Sequence, residues 1–178
     1  MSAKYLEASS FSPDMVDFLE NLSKYRVEYV IIGGAAVVYY GHARLTGDID
    51  IFYNNETENV EKLYKALLDF WAGDIPVLAA KSQLGNPGMV FQFGMPPNRI
   101  DLLNQVDGIS FQEAIQDKET AQLRASDKRF NIYYIGLAAL IRNKQAVGRP
   151  RDLEDLKYLQ AQAQRRCKDS GSRSKVDN

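Results

Sequence analysis

The run Ile31-Ile32-Gly33-Gly34, followed after thirteen residues by Asp48-Ile49-Asp50-Ile51, constrains this chain more than any other stretch of its 178 residues. Residues 27–32 are apolar and largely β-branched and end at two glycines, the signature of a buried strand. Residues 35–40 stay apolar without turn residues, which predicts a short helix directly after the glycines. Residues 41–47 read as a loop. Residues 48–53 alternate acidic and apolar side chains with period two, which predicts a strand with one acidic face. A strand that ends in glycines and feeds a helix exposes backbone N–H groups at the helix's positive end. Glycine lets an anion come close to that main chain, so Gly33 and Gly34 are candidates for cradling phosphate.

Two aspartates one residue apart on a strand point the same way, about 6.5–7 Å apart. Their charges repel unless they face water or a cation lies between them. Oxygen ligands at that spacing suit Mg²⁺, which takes one or two carboxylates and completes its shell with waters and phosphates. A third acid, Asp101, lies inside the apolar run Arg99-Ile100-Asp101-Leu102-Leu103. If the strand carrying Asp101 lies beside the strand carrying Asp48 and Asp50, three carboxylates converge. Two divalent ions could then clamp the attacking and leaving oxygens of an in-line phosphoryl or nucleotidyl transfer, and Asp101 could take a proton from an attacking hydroxyl. The plain alternatives are two solvent-facing acids on an edge strand and an Asp101 paired with Arg99.

Gly33-Gly34, Asp48-x-Asp50 and the isolated strand acid Asp101 resemble the nucleotidyltransferase superfamily (DNA polymerase beta-like) over residues 27–103. Arg44-x-Thr46-x-Asp48-x-Asp50 and the late run from Leu140 through Lys144, Gly148-Arg149-Pro150-Arg151-Asp152 to Leu156 are similar to small prokaryotic enzymes related to AbiEii/AbiGii-type toxins. The resemblance implies an α+β fold, a mixed sheet flanked by helices with a helical C-terminal section. It implies transfer of NMP from an NTP, with Mg²⁺ or Mn²⁺ as cofactor. Asp48, Asp50 and Asp101 are the implied metal and catalytic acids. Gly33, Gly34, Arg44, Thr46, Lys144, Arg149 and Asp152 are the implied nucleotide-binding residues. The resemblance implies an acceptor hydroxyl on tRNA or another RNA, a protein or a small molecule, and by subgroup analogy a cognate antitoxin as a partner. The competing function is a non-catalytic nucleotide- or partner-binding module on the same fold, which would have no use for three mutually repelling acids.

The remaining pattern fits one domain with an appendage. Ser12-Pro13-Asp14 opens a helix with Met15, Phe18, Leu19 and Leu22 at helical spacing. Residues 56–72 form an amphipathic helix, residues 77–80 allow a short strand, and residues 89–93 and 99–103 read as a hairpin. Ser110 with Glu113 marks a capping box, and residues 130–135 predict a strand. From Gly136 the pattern is helical, with Leu153, Leu156 and Leu159 on the last apolar stripe. The expected division is a core over 1–135, C-terminal helices over 136–166 and a disordered tail over 167–178. Twenty-two Lys and Arg balance 23 Asp and Glu, which excludes a protein that coats nucleic acid by bulk charge. No run has the ~18–20 apolar residues of a membrane span. The start carries no basic-then-apolar signal pattern, and one cysteine, Cys167, supports neither a disulfide framework nor a thiolate metal site, so a cytoplasmic protein is expected. His42, the only histidine, reads as a loop hydrogen-bonding residue rather than a zinc ligand.

Overall fold

The computed structural model describes residues 4–7, 10–125 and 128–173. Seven strands form one mixed sheet in the order β1-β6-β7-β2-β3-β5-β4. They are β1 (Lys4–Glu7), β2 (Tyr29–Ile32), β3 (Asp48–Tyr53), β4 (Val90–Phe93), β5 (Arg99–Leu103), β6 (Glu119–Ala125) and β7 (Lys128–Tyr134). The helices are α1 (Pro13–Lys24), α2 (Gly33–Tyr39), α3 (Thr57–Phe70), α4 (Phe111–Gln116), α5 (Leu137–Val147) and α6 (Pro150–Arg173). The α+β class expected from the sequence is what forms, and among the described residues no helix is long and apolar enough to cross a membrane.

Side-chain caps fix the starts of two helices. Ser12 caps α1 by accepting from the Met15 N–H, with Pro13 in the first turn, and Ser110 and Glu113 cap α4 reciprocally. Met15, Phe18, Leu19 and Leu22 of α1 and Val60, Leu63 and Leu67 of α3 are buried, and Phe18 meets Phe70 and Trp71 edge-on. Ile31, Ile49, Ile51 and Leu102 on the central strands are fully or nearly fully buried.

Four expectations are corrected. Residues 77–80 form no strand; Leu84, in the 3-10 turn Lys81–Gly85 that follows, supplies the buried anchor of this segment, and its carbonyl accepts from the Tyr53 hydroxyl. Strands β1 and β6 lie where no strand was expected, although in β6 the buried Ala121 and Leu123 alternate with polar residues, the period-two pattern of a half-buried strand. Leu153 is half exposed, and the buried stripe of α6 runs through Asp152, Asp155, Leu156 and Leu159 instead. Helix α6 continues to Arg173, so the described part of the 167–178 stretch is helical, while 174–178 lies outside the described residues.

What matters for the site is the centre of the sheet. β3 pairs parallel with β5 in a register that sets Asp48 beside Arg99 and Asp50 beside Asp101. β2 pairs antiparallel with β3 and delivers α2 to the same end, with Ile32 opposite Asp50. Gly148 closes α5 in the left-handed conformation (φ 64°), and Pro150 starts α6 two residues later. That tight turn brings Lys144 of α5 against the first turn of α6.

Candidate active site

The diglycine is part of α2 itself rather than a loop before it. Gly33 has φ +62°, and a Cβ there would lie 1.9 Å from Asp50 Oδ2. The carboxylate of Asp50 therefore rests directly on the glycine backbone, a position closed to any side chain. A Cβ on Gly34 would meet Thr46 Oγ1 at 2.8 Å and Arg44 Nη2 at 2.9 Å. Gly34 thus lets the loop between α2 and β3 fold Arg44 and Thr46 over the start of the helix. Thr46 Oγ1 donates to the Asp48 backbone carbonyl at 3.0 Å and lies 3.3 Å from Asp48 Oδ1.

Gly33, Gly34, Arg44, Asp48, Asp50, Asp101, Lys144, Arg149 and Asp152 line one cleft of about 520 Å³. Thr46 sits at its edge and faces a second, more apolar cavity of about 240 Å³ that also reaches Asp48. The residues singled out in the sequence, spread over more than a hundred positions, are thus brought together.

Asp101 is buried, and Arg99 holds it through both oxygens, Nε to Oδ1 at 2.8 Å and Nη2 to Oδ2 at 2.9 Å. The same Nη2 donates to Asp48 Oδ2 at 2.7 Å. Among the described residues no donor is hydrogen-bonded to the Asp50 carboxylate. Burial pushes the Asp50 carboxyl up to about 6, the charges of Asp48 and Asp101 add to the shift, and Lys144 and Arg99 oppose it. The hydrogen bonds that Arg99 donates to Asp101 in turn hold its guanidinium above its ordinary range.

Lys144 is buried and paired with Asp152, and its Nζ lies 3.1 Å from Asp155 Oδ2. Asp155 is the residue that sequence reasoning undervalued. It is almost fully buried and accepts two hydrogen bonds from Arg44 Nη1, at 3.0 and 2.7 Å. The available signal was its place, with Asp152, on the apolar stripe of Leu156 and Leu159. Helix α6 is thereby tied to the loop carrying Arg44, 111 residues away. His42 stacks on Tyr158, and its Nε2 lies 3.9 Å from Asp155 Oδ1, too far for the side-chain hydrogen bond expected of it.

Among the described residues no three His, Cys, Asp or Glu side chains are grouped as a ready metal cage. Arg99 separates Asp101 from Asp48. The donors nevertheless fit a hard divalent cation: all are carboxylate oxygens, and one guanidinium leaves their combined charge unbalanced.

A strand-diglycine-helix junction packed against three acids on adjacent parallel strands matches the arrangement expected of a nucleotidyl-transferring protein. The chain belongs to the family described as "Nucleotidyl transferase of unknown function (DUF2204)", whose model matches residues 12–176. No curated protein matches the chain.

Proposed function

We propose that the chain is a divalent-cation-dependent nucleotidyltransferase that moves NMP from an NTP to a hydroxyl acceptor, using Asp48, Asp50 and Asp101. The observation that carries this is the β3–β5 register, which sets Asp50 beside Asp101 with Asp48 on the same face, at the foot of the Gly33-Gly34 junction. Asp48 and Asp50 would hold the cation, Mg²⁺ or Mn²⁺. When bound it would supply positive charge to the reacting phosphate oxygens. Gly33 and Gly34 would leave backbone room for the phosphates. Lys144 and Arg149, with Arg44 at the edge of the helix start, would offset the triphosphate's charge, and Asp152 would orient Lys144. The acceptor oxygen forms a bond to the α-phosphorus, the bond to the bridging oxygen breaks, and pyrophosphate departs. Asp101 lines the cleft and would accept the hydroxyl proton, its basicity tempered by Arg99 on both oxygens.

The acceptor is proposed from the class alone as an RNA such as tRNA, a protein or a small molecule. The likeness of Arg44-x-Thr46-x-Asp48-x-Asp50 to AbiEii/AbiGii-type toxins supports a toxin role with a cognate antitoxin as the finer form of the proposal. Incubation with α-labelled NTPs, Mg²⁺ and a panel of acceptors tests the function. Label transfer with pyrophosphate release is expected from the wild type, and its survival in both Asp48→Ala and Asp50→Ala would remove the mechanism.

A further inference from the structure

Arg99 lies two residues before Asp101 on β5 and opposite Asp48 on β3, so its side chain emerges on the acidic face. Its contacts with the two acids are unequal. On Asp101, 5% exposed, the guanidinium makes a two-point fork, and Gln92 Nε2 adds a contact at 3.3 Å. A planar fork on a buried carboxylate is the strong form of this pair, and removing either partner strands a buried charge. On Asp48, whose side chain is 32% exposed, Arg99 reaches one oxygen, and the other is left to the Thr46 hydroxyl at 3.3 Å. A cation arriving from the cleft would therefore take Asp48 from Arg99 far more easily than Asp101.

Charge leads to the same division. The three acids carry three negative charges when ionised, and Arg99 cancels one. Lys144 is already engaged by Asp152 and Asp155. On these four groups two negative charges remain, which one divalent ion balances and two such ions would overcompensate.

We infer that the nucleotide-free site takes a single divalent cation, on Asp48 and Asp50, and that Arg99 is built in as the second cation, fixed on Asp101. The inference rests on the proposed function and replaces the two-ion clamp expected from the sequence. Arg99 is a positioning residue: it keeps the third acid in place without a metal bridge. It also reserves Asp101 from metal ligation.

Mn²⁺ alone, titrated into the full chain and followed by the electron paramagnetic resonance signal of the free ion, tests this. Wild type and Arg99→Lys should bind one equivalent, and Arg99→Met, which frees Asp101, should admit a second. Asp101→Asn is nearly isosteric and should keep the single equivalent, which provides the check if Arg99→Met does not fold. Two equivalents on the wild type, one on folded Arg99→Met, or loss of the ion in Asp101→Asn would overturn the inference and leave the proposed function standing. Absence of bound Mn²⁺ from every variant would overturn both.

Discussion

At Gly33 two constraints coincide: a positive φ that L side chains rarely adopt, and the Asp50 carboxylate where a Cβ would be. Gly33→Ala should cost about 1–3 kcal/mol from backbone strain alone, with a further loss because Asp50 must move. Urea denaturation measures the first effect, and Mn²⁺ affinity the second. Asp50 offers a pH test. Its folded carboxyl titrates at about 6, above the ordinary range, so between about pH 4 and pH 6 the folded chain holds more protons than the unfolded one. Its contribution therefore favours folding at low pH and is lost as pH rises through 6. Asp50→Asn should flatten this fall in urea midpoint. In the wild type, divalent-cation binding should weaken as pH drops below about 6, because the proton competes with the ion.

The α5–α6 turn is the element that completes the cleft, and Asp155 is its anchor. Asp155→Ala leaves Arg44 and Lys144 without their shared carboxylate and should destabilise the chain by about 3–5 kcal/mol, read from the urea midpoint. Legibility in the sequence was uneven at this scale for physical reasons. The strand carrying Asp48 and Asp50, the capped α1 and α4 and the β4–β5 hairpin were readable because periodicity and caps act over a few residues. The partners of Lys144 were not. Asp152 and Asp155 look like favourable charges in a first helical turn until α6 is packed against the Arg44 loop. Strand β1 was missed because four residues carry too little pattern, and β6 because its alternation rests on the small Ala121 and Ala125 around a single Leu123, a signal easily passed over although it was present. The acidic triad was legible as three residues, but the fork of Arg99 between them depends on the β3–β5 register.

On the scale of the molecule, the sheet brings chemistry from four elements to one end: α2, β3, β5 and the α5–α6 turn. Lys144 is the test of that convergence. Lys144→Met removes a cation whose field opposes the shift at Asp50, so the Asp50 carboxyl should titrate higher, as carboxyl-detected NMR would show. The same substitution should weaken NTP binding in calorimetry by about tenfold, equivalent to about 1.4 kcal/mol. The most direct measurement of the whole arrangement is a crystal structure with Mn²⁺ and a non-hydrolysable NTP analogue, with the metal located by anomalous scattering. The expected result is a metal peak touching Asp48 and Asp50, with the triphosphate running past Gly33 and Gly34 toward Lys144. A nucleotide seated away from β3, or a metal bound to neither acid, would contradict it.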